Sequence, residues 1–455
     1  MKILLFLLIF IFIFNTNAFA VERDLTGTGI ILMERSTRRV IYERNSTMLI
    51  YPASMVKVLT ALVALEYIDM EEIIVVGDSI NNTPAGSSVA GHFIGEHITG
   101  RNLIYGLLLP SGNDTANIVA AHVAYRVTGN SDLHFGDAEV IFADLMNEKA
   151  RNIGAISSNF TNAHGFHDPR MRVTALDLAN IANYAMDNQI IREVVSTIAL
   201  REMPGAQTLD GPTRELNWDS TNRLLVGEFY YPYAIGIKTG FHTPAGHCFI
   251  GAAYRNGLEF ITVIGGSTAT ERWIDTIYLF EYAFENYSIE TIHIGNNLIS
   301  EISIKNPRWG DEAYTSTFGT QDFSSLFSTD ELSRIEREII FHEEPFYTDE
   351  EGYQFLVAPV YAGQIVGRIV YTLDGEEIFI DDIVNRDYIY EWSYFSSIQY
   401  MINYVLENPL SILSLSAYLG IIFFIIIFTR TTAFIIRLVK RTRKRRRKYD
   451  RKIKF

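Results

Sequence analysis

The hydrophobic pattern of the chain predicts a mixed α/β region that ends near residue 287. Apolar residues alternate with polar ones in some stretches and recur at helical spacing in others. The first pattern predicts strands at 27–33, 39–42, 233–238, 248–254 and 260–265. The second predicts helices at 56–67, 102–109, 115–127, 178–186 and 273–287. Because strands lie at both ends of this region with helices between them, we expect one sheet that both ends complete.

The pattern changes after residue 288 to short alternating β segments without long helices. Examples are 299–304, 336–341 and 364–371, and an Asp374-Gly375 turn follows the last of them. This succession predicts a small β-sandwich domain or barrel over 288–388. An aromatic-rich juxtamembrane segment, 389–407, follows.

Two apolar runs lie at the ends of the chain. Met1-Lys2 precedes an apolar run over 3–14 and the sequence Ala18-Phe19-Ala20, which is typical of a signal peptide, 1–20, cleaved after Ala20. The run 408–429 contains no charged residue and would extend ~33 Å as a helix, which is enough to cross a bilayer core. We therefore predict a transmembrane helix at 408–429.

The charge is distributed very unevenly along the chain. The segment 430–455 contains 13 Lys and Arg and a single acidic residue, whereas 21–429 contains 25 basic and 52 acidic residues, a formal charge of −27. Because basic segments stay in the cytoplasm, the tail is predicted to be cytoplasmic and the body to lie outside a cell membrane that the chain crosses once. The positive charge of the tail would also attract it to anionic lipid headgroups. A body with this much negative charge would be repelled by phosphate groups, which argues against nucleic acid as a partner.

Ser54-Met55-Val56-Lys57 stands at the start of a predicted helix. Residues 54 and 57 are three apart and project from the same helix face, within reach of each other. A free lysine has a pKa of ~10.4 and could not accept a proton near neutrality. Burial and a second cation, Lys238, would lower the pKa of Lys57 and make it a base for the Ser54 hydroxyl.

Two further strings complete a plausible site. Ser111-Gly112-Asn113 lies in a loop between helices, where Ser111 can relay a proton and the Asn113 amide can bind a peptide backbone. Lys238-Thr239-Gly240 is predicted to end a strand, where it offers a cation and a hydroxyl to a carboxylate. Gly240 would let a substrate approach closely. Each motif alone is weak evidence for a catalytic site, since serines often cap helices and lysines are often surface groups. The order and structural contexts of the three motifs together are specific evidence for one.

The chain resembles the serine-type D-Ala-D-Ala carboxypeptidases, the low-molecular-mass penicillin-binding proteins, whose signature is S-x-x-K, S-x-N and K-T-G. Segments around the three strings, and Ala358-Pro359-Val360 in the β region, are similar to that family, so the resemblance extends over roughly 24–388. It implies an α+β fold: a β-lactamase/transpeptidase-like catalytic domain over 21–287, with an antiparallel sheet and helices on both faces. A small all-β domain would follow it.

The resemblance also implies roles for individual residues. The nucleophile would be Ser54, its base Lys57 and the proton relay Ser111. Substrate would be bound by Asn113, Lys238, Thr239, Gly240, Phe241 and Arg272, with the backbone N–H groups of Ser54 and Phe241 forming the oxyanion hole. The implied partners are peptidoglycan stem peptides and, as covalent inhibitors, β-lactam antibiotics. The implied reaction removes the terminal D-Ala and limits cross-linking. The sequence departs from the family at Val56 and at His242, two positions usually occupied by threonine.

Several alternatives stay open. A D,D-endopeptidase would use the same residues, and a non-catalytic wall-binding scaffold could share the fold. A serine β-lactamase needs an added base for deacylation, but the loop 159–171 contains no glutamate and only one acid, Asp168. His164 and His167 have a spacing that could bind zinc on a helix, yet Gly165 and Pro169 predict a loop. We expect no metal and no cofactor, and the sequence leaves the oligomeric state open. Cys248 is the only cysteine and is predicted to be a buried strand residue.

Overall fold

The structure is a computed structural model that describes residues 23–207 and 214–452, so the predicted signal peptide lies outside the described residues. The described chain forms two compact units. The first extends to Glu290 and includes Ser324–Ser333, and the second contains Thr291–Phe323 and the chain from Arg334 onward. The sequence analysis placed 324–333 in the β domain, whereas these residues group with the first unit.

The strands are β1 (Gly29–Glu34), β2 (Val40–Arg44), β3 (Ile73–Val75), β4 (His97–Thr99), β5 (Ala199–Gln207), β6 (Arg214–Asp219), β7 (Ala234–His242), β8 (Gly246–Arg255), β9 (Leu258–Ser267), β10 (Tyr287–His293), β11 (Leu298–Lys305), β12 (Tyr314–Phe318), β13 (Phe323–Ser328), β14 (Ile335–Phe341), β15 (Phe346–Thr348), β16 (Gln354–Val357), β17 (Ile365–Leu373) and β18 (Glu376–Asn385). The helices are α1 (Lys57–Tyr67), α2 (Gly100–Leu108), α3 (Asn113–Thr128), α4 (Phe135–Asn152), α5 (Ala175–Ala185), α6 (Gln189–Ser196), α7 (Glu271–Asn286), α8 (Thr329–Arg334), α9 (Tyr394–Glu407) and α10 (Pro409–Lys452).

The first unit is built on a five-stranded antiparallel sheet in the order β2-β1-β9-β8-β7. Successive side chains of a strand point to opposite faces. In β1, Ile31 and Met33 accordingly pack into the core formed with α1, α2, α3 and α5, while Ile30 and Leu32 join Trp273 of α7 in a second core. The predicted sheet, completed by both ends of the domain and covered by helices on both faces, is confirmed.

Strand β7 is longer than predicted. The Lys-Thr-Gly string does not end it, because β7 continues to His242 and pairs with β8 throughout, Gly240 lying opposite Cys248. The hydrophobic pattern failed here because Lys238 and Thr239 are polar but buried, with 1% and 9% exposure. β7 is also the edge strand of the sheet, so only one of its sides is paired within the sheet.

Helix α4 and the small sheet β3-β4-β5-β6 were not predicted. A signal for α4 exists in the sequence. Ala138, Phe142, Met146 and Ala150 follow one another at intervals of four, and all are buried against the first core or beside it.

The second unit is all-β up to its C-terminal helices, as expected. Its seven-stranded sheet has the order β14-β17-β18-β12-β11-β16-β15, and a core that includes Val366, Ile369 and Ile383 lies against it. Asp374 and Gly375 form the tight turn between β17 and β18, with φ values of 54° and 85°. Both values match the primed turns that two-residue hairpin connections favour.

The chain ends in two helices, α9 and α10. Within α10, Ser416–Lys444 contains an apolar window with a mean hydropathy of 2.3 and is long enough to cross a membrane by length and composition. It overlaps the apolar run predicted at 408–429. This apolar helix is consistent with membrane anchoring.

Candidate active site

Ser54 lies in a 3-10 helix, Ala53–Val56, that leads directly into α1. Lys57 is the first residue of α1, and its Nζ lies 2.9 Å from Ser54 Oγ, as the spacing of three residues predicts. Two glycines allow neighbouring segments of the chain to pack closely against the turn that contains Ser54. A Cβ on Gly165 would lie 2.0 Å from Ala53 O, and a Cβ on Gly240 would lie 2.9 Å from Pro52 O.

Lys57 Nζ has two further partners, Asn113 Oδ1 at 2.6 Å and the main-chain oxygen of His164 at 2.8 Å. Both can only accept hydrogen bonds. A neutral amine has two N–H groups, so these two acceptors use both of them. In the neutral amine the lone pair is left for the third neighbour, the Ser54 hydroxyl, which also lies 3.5 Å from His164 O. This arrangement is compatible with the predicted role of Lys57 as a base for Ser54.

Electrostatics favour the neutral form of this amine. Lys57 is fully buried, and burial together with the charge of Lys238 holds its pKa well below the usual range, against an opposing effect of Asp114. Burial, and next the charge of Arg272, lowers the pKa of Lys238 to about 7. The cluster thus favours a neutral Lys57 near physiological pH, while Lys238 still carries part of its positive charge there.

The Ser111 loop is placed beside this pair. Ser111 has a positive φ of 62°, is buried, and lines the same cavity as Ser54. Its hydroxyl makes no hydrogen bond to any side chain of the described residues, and it is Asn113 that contacts Lys57. The Asn113 carbonyl thus contacts Lys57, in addition to the peptide-binding role expected from the sequence.

Asp114 fixes a second loop against this one. Its carboxylate accepts hydrogen bonds from the backbone N–H groups of Ala90, Gly91 and His92 at 2.8 to 3.1 Å. The backbone N–H of Asn113 also donates to Ser88 O at 2.9 Å. These contacts hold Ser87 and Ser88 at the edge of the cavity.

The Lys-Thr-Gly residues face the pair from β7. Lys238 Nζ donates to Thr239 O at 3.1 Å, and the Thr239 hydroxyl lies 2.7 Å from that of Thr221. Thr221 also lines the cavity but was missed by the sequence analysis, because a lone threonine in a loop has no distinguishing pattern.

Arg272, near the start of α7, reaches the same strand. Its Nη1 donates to Cys248 O at 3.1 Å and lies 3.4 Å from Gly240 O, and its guanidinium stacks on Trp273. Burial lowers its pKa to about 10. Within the described part of the chain it forms no ion pair with an acidic side chain, so its charge is available to an anionic ligand.

A cavity of about 670 Å³ joins these groups. Of the residues predicted from the sequence, Ser54, Ser111, Asn113, Thr239, Gly240, Phe241 and Arg272 line it. Lys57 and Lys238 are buried behind its wall. The cavity also exposes His167, His242 and His247, which the sequence analysis did not assign to the site. Cys248 is buried, and burial raises the pKa of its thiol to about 11, as suits a structural residue.

Comparison with known proteins shows which family has this fold and these motifs. The family model described as D-alanyl-D-alanine carboxypeptidase matches residues 16–268. The chain is 26% identical over 355 residues to D-alanyl-D-alanine carboxypeptidase DacF of Bacillus subtilis, covering 76% of this chain and 81% of that one. The crystal structure of the carboxypeptidase DacD of Francisella tularensis has the same fold, with a TM-score of 0.59 at 22% identity over 81% of this chain and 95% of that chain. Penicillin binding protein 5 of Haemophilus influenzae gives 0.56 at 22% identity, covering 81% and 99%.

The fold is therefore that of the penicillin-binding serine peptidases, in which a sheet covered by helices is followed by a β domain. The match to the family model extends over more than half of the chain. The chain belongs to the D-alanyl-D-alanine carboxypeptidase family, and it is a serine-type D-Ala-D-Ala carboxypeptidase, a hydrolase of the peptidase class, as the sequence motifs indicated.

Proposed function

We propose that the protein removes the C-terminal D-alanine from peptidoglycan stem peptides through an acyl-enzyme on Ser54. The observation that supports this most directly is the contact between Lys57 Nζ and Ser54 Oγ at 2.9 Å, with both N–H groups of the neutral amine used elsewhere. This is the arrangement that a serine nucleophile and its general base require.

Acylation begins when Ser54 Oγ attacks the carbonyl carbon between the two D-alanines and its proton passes to Lys57. The backbone N–H groups of Ser54 and Phe241 are the proposed donors to the resulting oxyanion. As the C–N bond breaks, the proton moves from Lys57 through Ser111 to the leaving nitrogen, and free D-alanine departs. Water then attacks the ester, which releases the shortened peptide and restores the Ser54 hydroxyl.

The terminal carboxylate of the substrate is assigned to the cationic side of the cavity. Arg272 has no acidic partner within the described residues, and the Thr239 hydroxyl lies on the same wall. Charge-assisted hydrogen bonds to a carboxylate are among the strongest that a protein forms. A β-lactam with a carboxylate beside its ring would use the same groups and acylate the same serine.

We further propose that the catalytic unit acts outside the bacterial cell membrane. The apolar helix within α10 would cross the membrane once, and the basic residues beyond it would keep the tail in the cytoplasm. The proposed domain order is the one expected from the sequence: signal peptide, catalytic domain, β domain, juxtamembrane segment, membrane helix and tail.

The decisive experiment incubates the detergent-solubilised full-length protein with a pentapeptide that ends in D-Ala-D-Ala. One equivalent of free D-alanine per peptide is expected from the wild type and none from Ser54→Ala. A fluorescent penicillin should label the wild type covalently and leave Ser54→Ala unlabelled. Release of D-alanine by Ser54→Ala at the wild-type rate would overturn the assignment, and a wild type that neither releases D-alanine nor is labelled by the penicillin would favour a scaffold role.

A further inference from the structure

The cavity contains three histidines that the proposed reaction does not use. The rings of His167 and His242 form a T-shaped pair with centroids 5.3 Å apart, and His247 stacks on Phe241 at 4.2 Å. Among the described residues that line the cavity there is no Asp or Glu, although the residues 21–429 have a formal charge of −27. The cavity is thus an acid-free surface within a strongly acidic protein, which favours ligands with more than one anionic group.

Strand β7 divides the polar groups of the cavity between its two faces. Because side chains alternate along a strand, Phe241 points to one face, where it meets His247 and the nearby Arg272. Gly240 and His242 point to the other face, toward the turn that contains Ser54. If the Arg272 side binds the terminal carboxylate, the histidine pair is left for a second group of the same substrate.

His242 presents an N–H group and not a lone pair. Its Nδ1 accepts a hydrogen bond from the backbone N–H of Ala245 at 3.1 Å, so the proton of the neutral ring is on Nε2. In this tautomer Nε2 cannot bind a metal but can donate to an acceptor. Burial, and next the neighbouring His167, lowers the pKa of His242, so the ring is neutral near pH 7 and gains charge only in acid.

The groups around the pair add positive charge. Tyr51 contacts both rings, and the guanidinium of Arg172 lies 3.5 Å from the centroid of the Tyr51 ring. The one carboxylate close in sequence, Asp168, is paired with Arg170 at 2.6 Å, and the Arg170 contacts lower its pKa to about 2. That carboxylate is therefore ionised and already satisfied, and it does not neutralise the pair.

We propose that His167 and His242 form a second carboxylate-binding subsite of the cavity, which takes a free side-chain carboxylate on the residue preceding the D-Ala-D-Ala pair. This inference rests on the proposed function and specifies its substrate. A carboxylate can only accept hydrogen bonds, which suits the Nε2–H donor of His242, whereas a carboxamide could turn its NH₂ group toward that donor. The enzyme would thus prefer stem peptides whose diamino acid has a free second carboxylate over their amidated forms.

The test compares two pentapeptides that differ only in whether the side chain of the third residue ends in a carboxylate or a carboxamide. With the solubilised full-length protein, kcat/KM for D-alanine release is expected to be about 10-fold higher for the carboxylate peptide. His167→Ala and His242→Ala should lower this ratio toward one. His242→Gln keeps an N–H donor and should retain part of the preference. The matched control is His97→Gln in β4, which does not line the cavity and should keep the wild-type ratio.

The outcomes separate the two proposals. Release of D-alanine from neither peptide would contradict the proposed function itself. Equal rates on both peptides, or a preference that survives in both alanine variants, would overturn the subsite and leave the carboxypeptidase assignment intact. Acylation by a fluorescent penicillin, which has no such side chain, shows that each variant is folded before the ratios are compared.

Discussion

At the scale of single residues, the chemistry depends on how the neighbours of one amine are distributed. Lys57 has two obligate acceptors, Asn113 Oδ1 and His164 O, and one hydroxyl, Ser54. The spacing of Ser54 and Lys57 was enough to predict their contact, because a helical turn brings such residues together. The acceptors are 56 and 107 residues away from Lys57 in the sequence, so no local pattern could reveal them.

The charge of Lys238 should control the pH at which the enzyme works. Lys57 acts as a base only when neutral, so the acylation rate rises with pH through its pKa. Replacing Lys238→Met removes a cation that lowers this pKa, and the acid limb of the profile should move upward by about one pH unit. This shift can be measured from the pH dependence of acylation by a chromogenic β-lactam. The control is Lys149→Met, which removes a partly buried lysine that pairs with Glu66 and does not line the cavity. An unchanged or downward-shifted limb would refute this role.

Thr221 is expected to position the Thr239 hydroxyl for the substrate carboxylate. Because the two hydroxyls lie 2.7 Å apart, Thr221→Val removes the partner while keeping the shape of the side chain. We expect KM for the pentapeptide to rise about fivefold with a smaller change in kcat. Thr221→Ser restores a hydroxyl and should restore KM. A valine variant with wild-type KM would show that Thr239 needs no partner.

At the scale of elements, the contact between β7 and the turn that contains Ser54 assembles the site. The sequence predicted both elements, but it ended the strand too early, because Lys238 and Thr239 interrupt the hydrophobic pattern. Buried polar residues look like surface residues to a periodicity argument. Their burial is compensated by one local and one longer-range contact: the Lys238 ammonium donates to the adjacent Thr239 O, and the Thr239 hydroxyl pairs with that of Thr221.

Gly240→Ala should separate these two elements. The added Cβ would meet Pro52 O at 2.9 Å and the Ala53 Cβ at 3.2 Å, so β7 must move away from the nucleophile. We expect a loss of about 1–3 kcal/mol in the free energy of unfolding and at least a tenfold slower β-lactam acylation. Thermal melting and stopped-flow acylation measure the two effects. In Gly77→Ala, where no atom lies within 4 Å of the new Cβ, both should stay at wild-type values. An alanine variant at 240 with normal acylation would contradict the close approach.

At the scale of the whole molecule, the distribution of apolar residues and charge determines the proposed topology. The apolar window of α10 is followed by a basic tail, while the residues 21–429 before the tail are acidic. Such an arrangement favours one orientation, because translocating a dense run of Lys and Arg is unfavourable. The single native cysteine is buried with a raised thiol pKa, which makes the protein a silent background for cysteine labelling.

The topology predicts opposite labelling of two introduced cysteines. Ser131→Cys, on the exposed surface of the catalytic unit, should react with a membrane-impermeant maleimide in intact spheroplasts. Lys444→Cys, near the end of the apolar helix, should react only after the membrane is permeabilised. Labelling of Lys444→Cys in intact spheroplasts would place the tail outside and refute the orientation.

The sequence by itself predicted the antiparallel sheet, which is confirmed, and the contact between Ser54 and Lys57, which lie 2.9 Å apart. The order of the domains and the roles of nucleophile and base stay predictions. These features depend on local spacing and on hydrophobic patterns, which short segments specify without help from the rest of the chain. Only the tertiary structure decided that Asn113 contacts Lys57, that Thr221 supports Thr239, and that His167 meets His242 at the cavity wall. The physical reason is that hydrogen bonding and burial act between groups that are distant along the chain, and such neighbours exist only once the sheet and its helices have packed.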